Sequence, residues 1–164
     1  MLIGIISDIH DRVKRMRTAL TKLEEAGCTH LIFLGDAAQL ATLRALRNAW
    51  PHEIDYVLGN NDYPRENFRN LAESQPRLHC HGDEGELSLP DTRRVFITHE
   101  PYYAGHALNS GAFDAIFYGH THRAEQIKAG ETLVLNPGDI QGRYGAPSCA
   151  IYDTATNTAK LLLL

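Results

Sequence analysis

Cysteine is scarce in this sequence. Cys28, Cys80 and Cys149 are an odd, scattered set with no CxxC spacing. That excludes a disulfide framework and points to a reducing compartment. Long apolar runs are also missing. No window reaches the ~18 apolar residues of a membrane span. The opening MLIGIISDIH lacks a basic start and has only a short apolar run before Asp8, unlike a secretory signal. The closing LLLL is too short for a span and reads as a final strand. Nor is there a strong charge imbalance. A net charge of -4 argues against a broad electrostatic grip on nucleic acid, while leaving room for a local basic patch. No linker, internal repeat or low-complexity segment interrupts the chain. The expectation is a soluble cytoplasmic protein with no membrane contact.

What is present is globular. Apolar residues make up 43% and charged residues 22%, which is a folded rather than a disordered composition. The 164 residues suit one domain, spanning 1–164, with a core of its own. Nine histidines stand out, though their positions matter more than their number.

Leu2 to Ile6 is a compact apolar run, the pattern of a strand buried on both faces. Asp11 to Ala26 follows at helical spacing through Val13, Met16, Leu20 and Leu23, and Gly27 stops it. HLIFLG is a second strand, Gln39 to Trp50 a second helix ended by Pro51, and IDYVLG a third strand. This alternation predicts a parallel sheet. Residues 64–75 form a short helix or an ordered loop. Thereafter strands dominate: RLHCH, GELSLP, RRVFITH, FDAIFYGH, AEQIKAG, TLVLNPG, SCAIYD and AKLLLL, with a hairpin turn at Gly130-Glu131 and a short helix near Tyr103 to Ser110. The assembly expected is an α/β four-layer sandwich, two packed mixed sheets flanked by helices.

The strand ends carry the chemistry. The apolar runs lead into Ser7-Asp8-Ile9-His10, Gly35-Asp36, Gly59-Asn60-Asn61-Asp62, Thr98-His99, Gly119-His120-Thr121-His122 and Asn136-Pro137-Gly138. Ligands in open α/β sheets bind at the carboxyl ends of strands. Alternate strand residues point the same way, so Asp8 and His10 face one point, as do His120 and His122. Taken singly, each element is an ordinary turn, cap or strand end. Their joint occurrence, in order, predicts a metal site with mixed oxygen and imidazole ligands and no thiolate.

The series Asp8-x-His10, Gly35-Asp36, Gly59-Asn60-x-Asp62, Thr98-His99 and Gly119-His120-x-His122 resembles the calcineurin-like metallophosphoesterase superfamily, above all its small bacterial and archaeal phosphodiesterases. The resemblance implies two divalent metal ions, Mn²⁺ first and Fe²⁺, Ni²⁺ or Zn²⁺ otherwise. Asp8, His10, Asp36 and His122 would hold one; Asp36, Asn60, His99 and His120 would hold the other. It further implies hydrolysis of a small phosphodiester by a hydroxide held between the metals, with Asn60, His99 and Asp62 as the residues serving catalysis. Asp62 reads equally as a support for its loop. Stable nucleic-acid binding is not expected, and an exposed sheet edge could support a homo-oligomer.

Three positions depart from the family pattern. Asn61 stands where a histidine often helps the leaving group, and an amide can only donate a hydrogen bond. This predicts a preference for activated diesters over alkyl monoesters. Glu100 replaces a common glycine and can reach the metal rim, repel phosphate or point to solvent. Asp139 replaces a frequent serine. His79-Cys80-His81 invites an extra metal site, but no further ligand is evident, so a plain strand is the reading. His106, Tyr102, Tyr103, Arg123 and Arg143 are candidates for the rim. The competing functions are a non-catalytic protein-interaction scaffold of the same fold and a Mn²⁺-dependent nuclease. The full ligand set argues against the first and the acidic balance against the second.

Overall fold

The computed structural model describes residues 1–164. Its first half alternates as the sequence predicts: β1 (Leu2–Ile6), α1 (Val13–Glu25), β2 (His30–Phe33), α2 (Leu40–Ala49), β3 (Glu53–Tyr56), α3 (Arg65–Glu73) and β4 (Leu78–Cys80). These four strands run parallel, Ile3 beside His30 and Phe33 beside Tyr56. The second half brings β5 (Glu84–Leu89), β6 (Arg93–Thr98), α4 (Pro101–Ser110), β7 (Ala115–Phe117), β8 (Ala124–Ala129), β9 (Thr132–Pro137), β10 (Ser148–Asp153) and β11 (Thr158–Leu163). The first sheet has the order β11-β10-β1-β2-β3-β4 and the second β5-β6-β7-β9-β8. Both are mixed, because β10 adds antiparallel to β1 while β5 and β8 add antiparallel to β6 and β9.

The period-2 pattern of the central strands builds the layers. Ile6, Leu31, Phe33, Ile54 and Tyr56 face outward under α1, α2 and α3, in one cluster with Met16, Leu20, Leu23, Leu43 and Phe68. Ile3, Ile5, Ile32, Leu34 and Val57 face inward and meet Val95, Ile97, Phe117 and Leu135 of the second sheet. Phe96, Ile116 and Val134 carry α4 on the far side through Ala104 and Ala107. Gly4 lets α1 pack closely, since a Cβ there would stand 2.7 Å from Leu23 Cδ1 and would push that side chain aside. The result is the four-layer α-β-β-α sandwich.

Some boundaries differ. Within residues 64–75, Arg65–Glu73 form α3. The third strand stops at Tyr56, short of Val57 to Gly59. The chain still tracks the sheet there, with Val57 N–H donating to Phe33 O and Leu58 N–H to Gly82 O. α4 begins at Pro101, where the fixed φ of proline suits a first helical position.

Candidate metal centre

The parallel strands of both sheets end along one edge of the sandwich. β1, β2 and β3 deliver Asp8, Asp36 and Asn60 from the first sheet, and β6, β7 and β9 deliver His99, His120 and Asp139 from the second. Hydrogen bonds bind the two sets. His99 Nδ1 meets Leu34 O at 2.6 Å, His120 N–H donates to Asp8 Oδ2 at 3.1 Å, and Ile140 N–H donates to Ser7 O at 3.0 Å.

Asp8 and His10 converge as expected, but strand alternation is not the cause. β1 has already ended at Ile6. Asp8, His10, Asp36, His120 and His122 all take left-handed backbone, with φ between 41° and 66°. Such conformations are uncommon outside glycine and cost about 1–3 kcal/mol each. The turns aim the side chains, and the surrounding hydrogen bonds hold the turns.

Donor atoms stand close but apart. His10 Nε2 is 3.5 Å from Asp8 Oδ1 and 3.3 Å from Asp36 Oδ2, and His122 Nε2 is 3.4 Å from Asp8 Oδ1. On the other side His99 Nε2 is 3.6 Å from Asp36 Oδ2 and 3.0 Å from Asn60 Oδ1, which lies 2.9 Å from His120 Nδ1. Three overlapping ligand groups result: Asp8 with His10 and His122, Asp8 with Asp36 and His99, and His99 with Glu100 and His120. Asp8 Oδ1 and His10 Nε2 are buried without a hydrogen-bond partner. Buried polar atoms ordinarily find one. A six-coordinate cation with bonds of about 2.1 Å keeps neighbouring donors about 3.0 Å apart, so these separations and orphaned atoms fit a metal.

The supporting residues explain the tuning. Ser7 Oγ donates to Asp8 Oδ2 at 2.5 Å, leaving Oδ1 toward the site. Burial pushes the Asp8 carboxyl up, but the neighbouring His10, the charge of His99, and Ser7 and His122 outweigh it and hold it below its usual range. Burial pulls the His10 imidazole down, while Asp8 and Asp36 overcome that and the opposing Arg143, so it sits above its usual value. His122 Nδ1 is 2.8 Å from Asp139 Oδ2, a contact that leaves Nε2 free to ligate. The replaced serine position thus carries an orienting carboxylate.

Asp62 does not reach the opening. It is fully buried and accepts from the Asp36, Ala38 and Gly59 N–H groups at 3.1, 3.0 and 3.0 Å and from Tyr56 Oη at 2.5 Å. Burial raises its carboxyl above the ordinary range despite these donors. These contacts match the loop-support reading of Asp62 and give it no contact with the cavity. Asn61 donates its backbone N–H to Asp36 Oδ1 and its side-chain amide to Asp36 Oδ2, each at 2.7 Å. It orients the central carboxylate. Gly59 is required because a Cβ there would fall 2.0 Å from Asp36 Oδ1.

A cavity of about 250 Å³ opens over these groups, lined by Asp36, Asn60, Asn61, His120, Thr121, His122, Arg143 and Tyr144. Arg143 also lines an adjoining cavity with Arg12, Lys14 and Arg15. Sequence reasoning missed Tyr144. It is 61% exposed, edges onto His122, and lies beneath the guanidinium groups of Arg123 and Arg143 at 5.8 and 5.3 Å. A lone tyrosine in a Gly-rich loop carries no signal of its own. Tyr102, Tyr103 and His106 cluster with one another and do not line this cavity. His79 and His81 face the β3 carboxylates, at 2.6 Å from Glu53 and Asp55, and form no ligand group.

Orphaned carboxylate and imidazole atoms at the shared carboxyl edge of two packed sheets mark a candidate metal centre in an α/β sandwich. The sequence pattern of the calcineurin-like phosphoesterase superfamily domain matches residues 1–157, and the chain belongs to that superfamily. It is accordingly a metal-dependent phosphoric ester hydrolase. Phosphodiesterase MJ0936 of Methanocaldococcus jannaschii is 29% identical over 167 residues, covering 100% of this chain and 99% of that protein. The solved structure of an archaeal phosphodiesterase superposes with a TM-score of 0.86 at 28% identity, over 100% of both chains. Vps29 of Cryptosporidium parvum shares the fold, with a TM-score of 0.66 at 14% identity over 99% of this chain and 96% of that one. No helix is long and apolar enough to cross a membrane.

Proposed function

We propose that residues 1–164 form one phosphodiesterase domain with a dinuclear divalent-metal centre. Asp8, His10, Asp36 and His122 would hold one cation and Asp36, Asn60, His99 and His120 the other. One observation carries this reading: Asp36 Oδ2 lies 3.3 Å from His10 Nε2 and 3.6 Å from His99 Nε2, between two ligand sets. When bound, the cations would supply Lewis-acid charge to the phosphoryl oxygens and acidify water. Mn²⁺ is the first choice for this oxygen–imidazole set, ahead of Fe²⁺, Ni²⁺ and Zn²⁺.

The remaining work falls to the chain. Asp62 and Asn61 fix the Asp36 loop, and Asp139 and Leu34 O fix the imidazoles. Arg143 and Tyr144 offer a cationic and an aromatic surface to the substituent beside the scissile bond. Asn61 cannot protonate a leaving oxygen and is turned onto Asp36 instead. Without an acid there, a good leaving group matters most, which favours activated diesters such as aryl phosphodiesters over alkyl monoesters. The free thiols of Cys28 and Cys149, pushed by burial to about 11 and about 12, are inert and suit the cytoplasm.

The test is a Mn²⁺ titration of the chelator-treated protein against an aryl phosphodiester. Hydrolysis should appear with added metal and saturate at two ions per chain. Full activity in the metal-stripped sample would overturn the reading.

A further inference from the structure

We propose that Glu100 is an additional carboxylate ligand of the second metal subsite, and that its charge selects monoanionic diesters over dianionic monoesters. The inference rests on the dinuclear reading above and deepens it. Glu100 Oε1 lies 3.6 Å from His120 Nδ1. It forms one ligand group with His99 and His120, all three donor atoms within 4.8 Å of one another. Asn60 Oδ1 stands between the same two imidazoles, at 3.0 and 2.9 Å. A cation here would be held by the two imidazoles, the Asn60 amide oxygen and the Asp36 carboxylate, and Glu100 would add a second carboxylate.

Hydrogen bonds fix the backbone at Glu100. Glu100 N–H donates to Thr98 Oγ1 at 3.3 Å, and its carbonyl accepts from Ala104 N–H at 3.4 Å at the start of α4. No lysine or arginine pairs with its carboxylate, whose one ionic neighbour is His120. The side chain is 38% exposed and stands beside His120, which lines the cavity over the site, although Glu100 itself does not line it.

The charge balance gives this a consequence. Two divalent cations would outweigh the charges of Asp8 and Asp36, and Glu100 would lower the net positive charge of the centre by one. A monoester carries close to two negative charges above its second pKa of about 6, whereas a diester carries one. An extra carboxylate a few ångströms from the phosphoryl oxygens penalises the dianion more, on the order of tenfold even with strong screening. A hard oxygen donor also strengthens Mn²⁺ binding at that subsite.

The experiment compares wild type, E100Q and E100D. Mn²⁺ binding is followed by calorimetry and by the exchange-coupled signal of a Mn²⁺ pair in low-temperature paramagnetic resonance. Wild type should bind two ions. E100Q should keep the tighter site, weaken the other about tenfold, and lose the coupled signal at stoichiometric metal, with an unchanged unfolding midpoint in chelator. E100D should restore part of the coupling. At saturating Mn²⁺, the ratio of aryl monoester to aryl diester kcat/KM should rise about tenfold in E100Q. Equal Mn²⁺ affinities in wild type and E100Q would overturn the ligand assignment while leaving the dinuclear reading intact. Absence of Mn²⁺ binding in wild type would overturn both. Weakened binding with an unchanged ester ratio would overturn the selection by charge, and loss of both sites with a lowered midpoint would make Glu100 structural only.

Discussion

Two groups of histidines and carboxylates lie on the first sheet, and they are built differently. At the β2–β4 side, Asp55 sits between His30 and His81 with each carboxylate oxygen 2.6 Å from an imidazole nitrogen. Along the carboxyl edge, His10 Nε2 stands 3.5 and 3.3 Å from the Asp8 and Asp36 oxygens, and Asp8 Oδ1 and His10 Nε2 remain unpartnered. The residue types are the same. The first group closes on itself because strand register sets Asp55 beside His79, two residues before His81 on the same face. The second stays apart because left-handed turns at Asp8, His10 and Asp36 aim the groups without letting them pair. A closed group stabilises the fold, whereas a spaced one retains the capacity to bind a cation.

The largest effect that separates the two groups is expected at Asp36. Asp36→Ala should lower Mn²⁺-dependent diester hydrolysis by about 10³-fold or more, about 4 kcal/mol, because both ligand sets share its Oδ2. Stability in chelator should fall by only about 1–3 kcal/mol, from the two Asn61 donors left without their acceptor. A loss under tenfold, measured as kcat/KM at saturating metal, would mean that Asp36 does not join two subsites.

Asp139 comes next, since it acts on the spaced group through His122. Asp139→Ala removes the acceptor 2.8 Å from His122 Nδ1. Loss of such a partner typically weakens metal binding about 10–100-fold. Asp139→Asn, which keeps an acceptor oxygen, should recover most of it. Equal Mn²⁺ affinity in Asp139→Ala and wild type would reduce this carboxylate to a structural contact with the Arg143 N–H.

Much of this was legible in the sequence, for a physical reason. Buried strands announce themselves as apolar runs, and at Asp8, Asp36, Asn60, His99 and His120 the polar residues follow those runs directly. The helices at Val13–Glu25 and Leu40–Ala49 showed the same clarity through their apolar spacing. What stayed hidden depends on contacts distant in the chain. Asp62 reads as a turn residue near a ligand, and only folding shows that it accepts from three N–H groups and Tyr56. The pairing of Asp139 with His122, and the place of Tyr144 in the cavity wall, likewise need the third dimension. Strand alternation suggested the convergence of Asp8 and His10, but the turns produce it.

The closed group should respond in stability alone. Asp55→Asn replaces a buried carboxylate that serves two imidazoles, and should cost about 1–3 kcal/mol in denaturant unfolding at pH 7 without altering Mn²⁺ binding. Its pH dependence has a fixed sign. Burial acts to raise the Asp55 carboxyl, but His30 and His81 outweigh it and depress the value far below the ordinary range. A depressed folded value means stability that is fully present above the unfolded carboxylate value, about 3.9, and that is lost as pH falls below it. The gap between wild type and Asp55→Asn should therefore narrow from pH 6 to pH 3. A gap that widens on acidification would contradict this balance.

The smallest effect is expected at His79, which offers the sharpest test of whether histidine content or donor spacing makes a site. His79 and Glu53 pair at 2.6 Å with side chains 56% and 46% exposed. Exposed pairs of this kind contribute about 0–1 kcal/mol. His79→Gln should therefore shift unfolding by no more than about 0.5 kcal/mol and leave the Mn²⁺ stoichiometry at two. The neighbouring His81 is already committed to Asp55, so the His79-Cys80-His81 stretch has one free imidazole at most to offer a cation. A structural metal site needs about four ligands. Loss of a bound ion in His79→Gln would show that the exposed pair opens to take metal, and would remove the distinction between the closed and the spaced group.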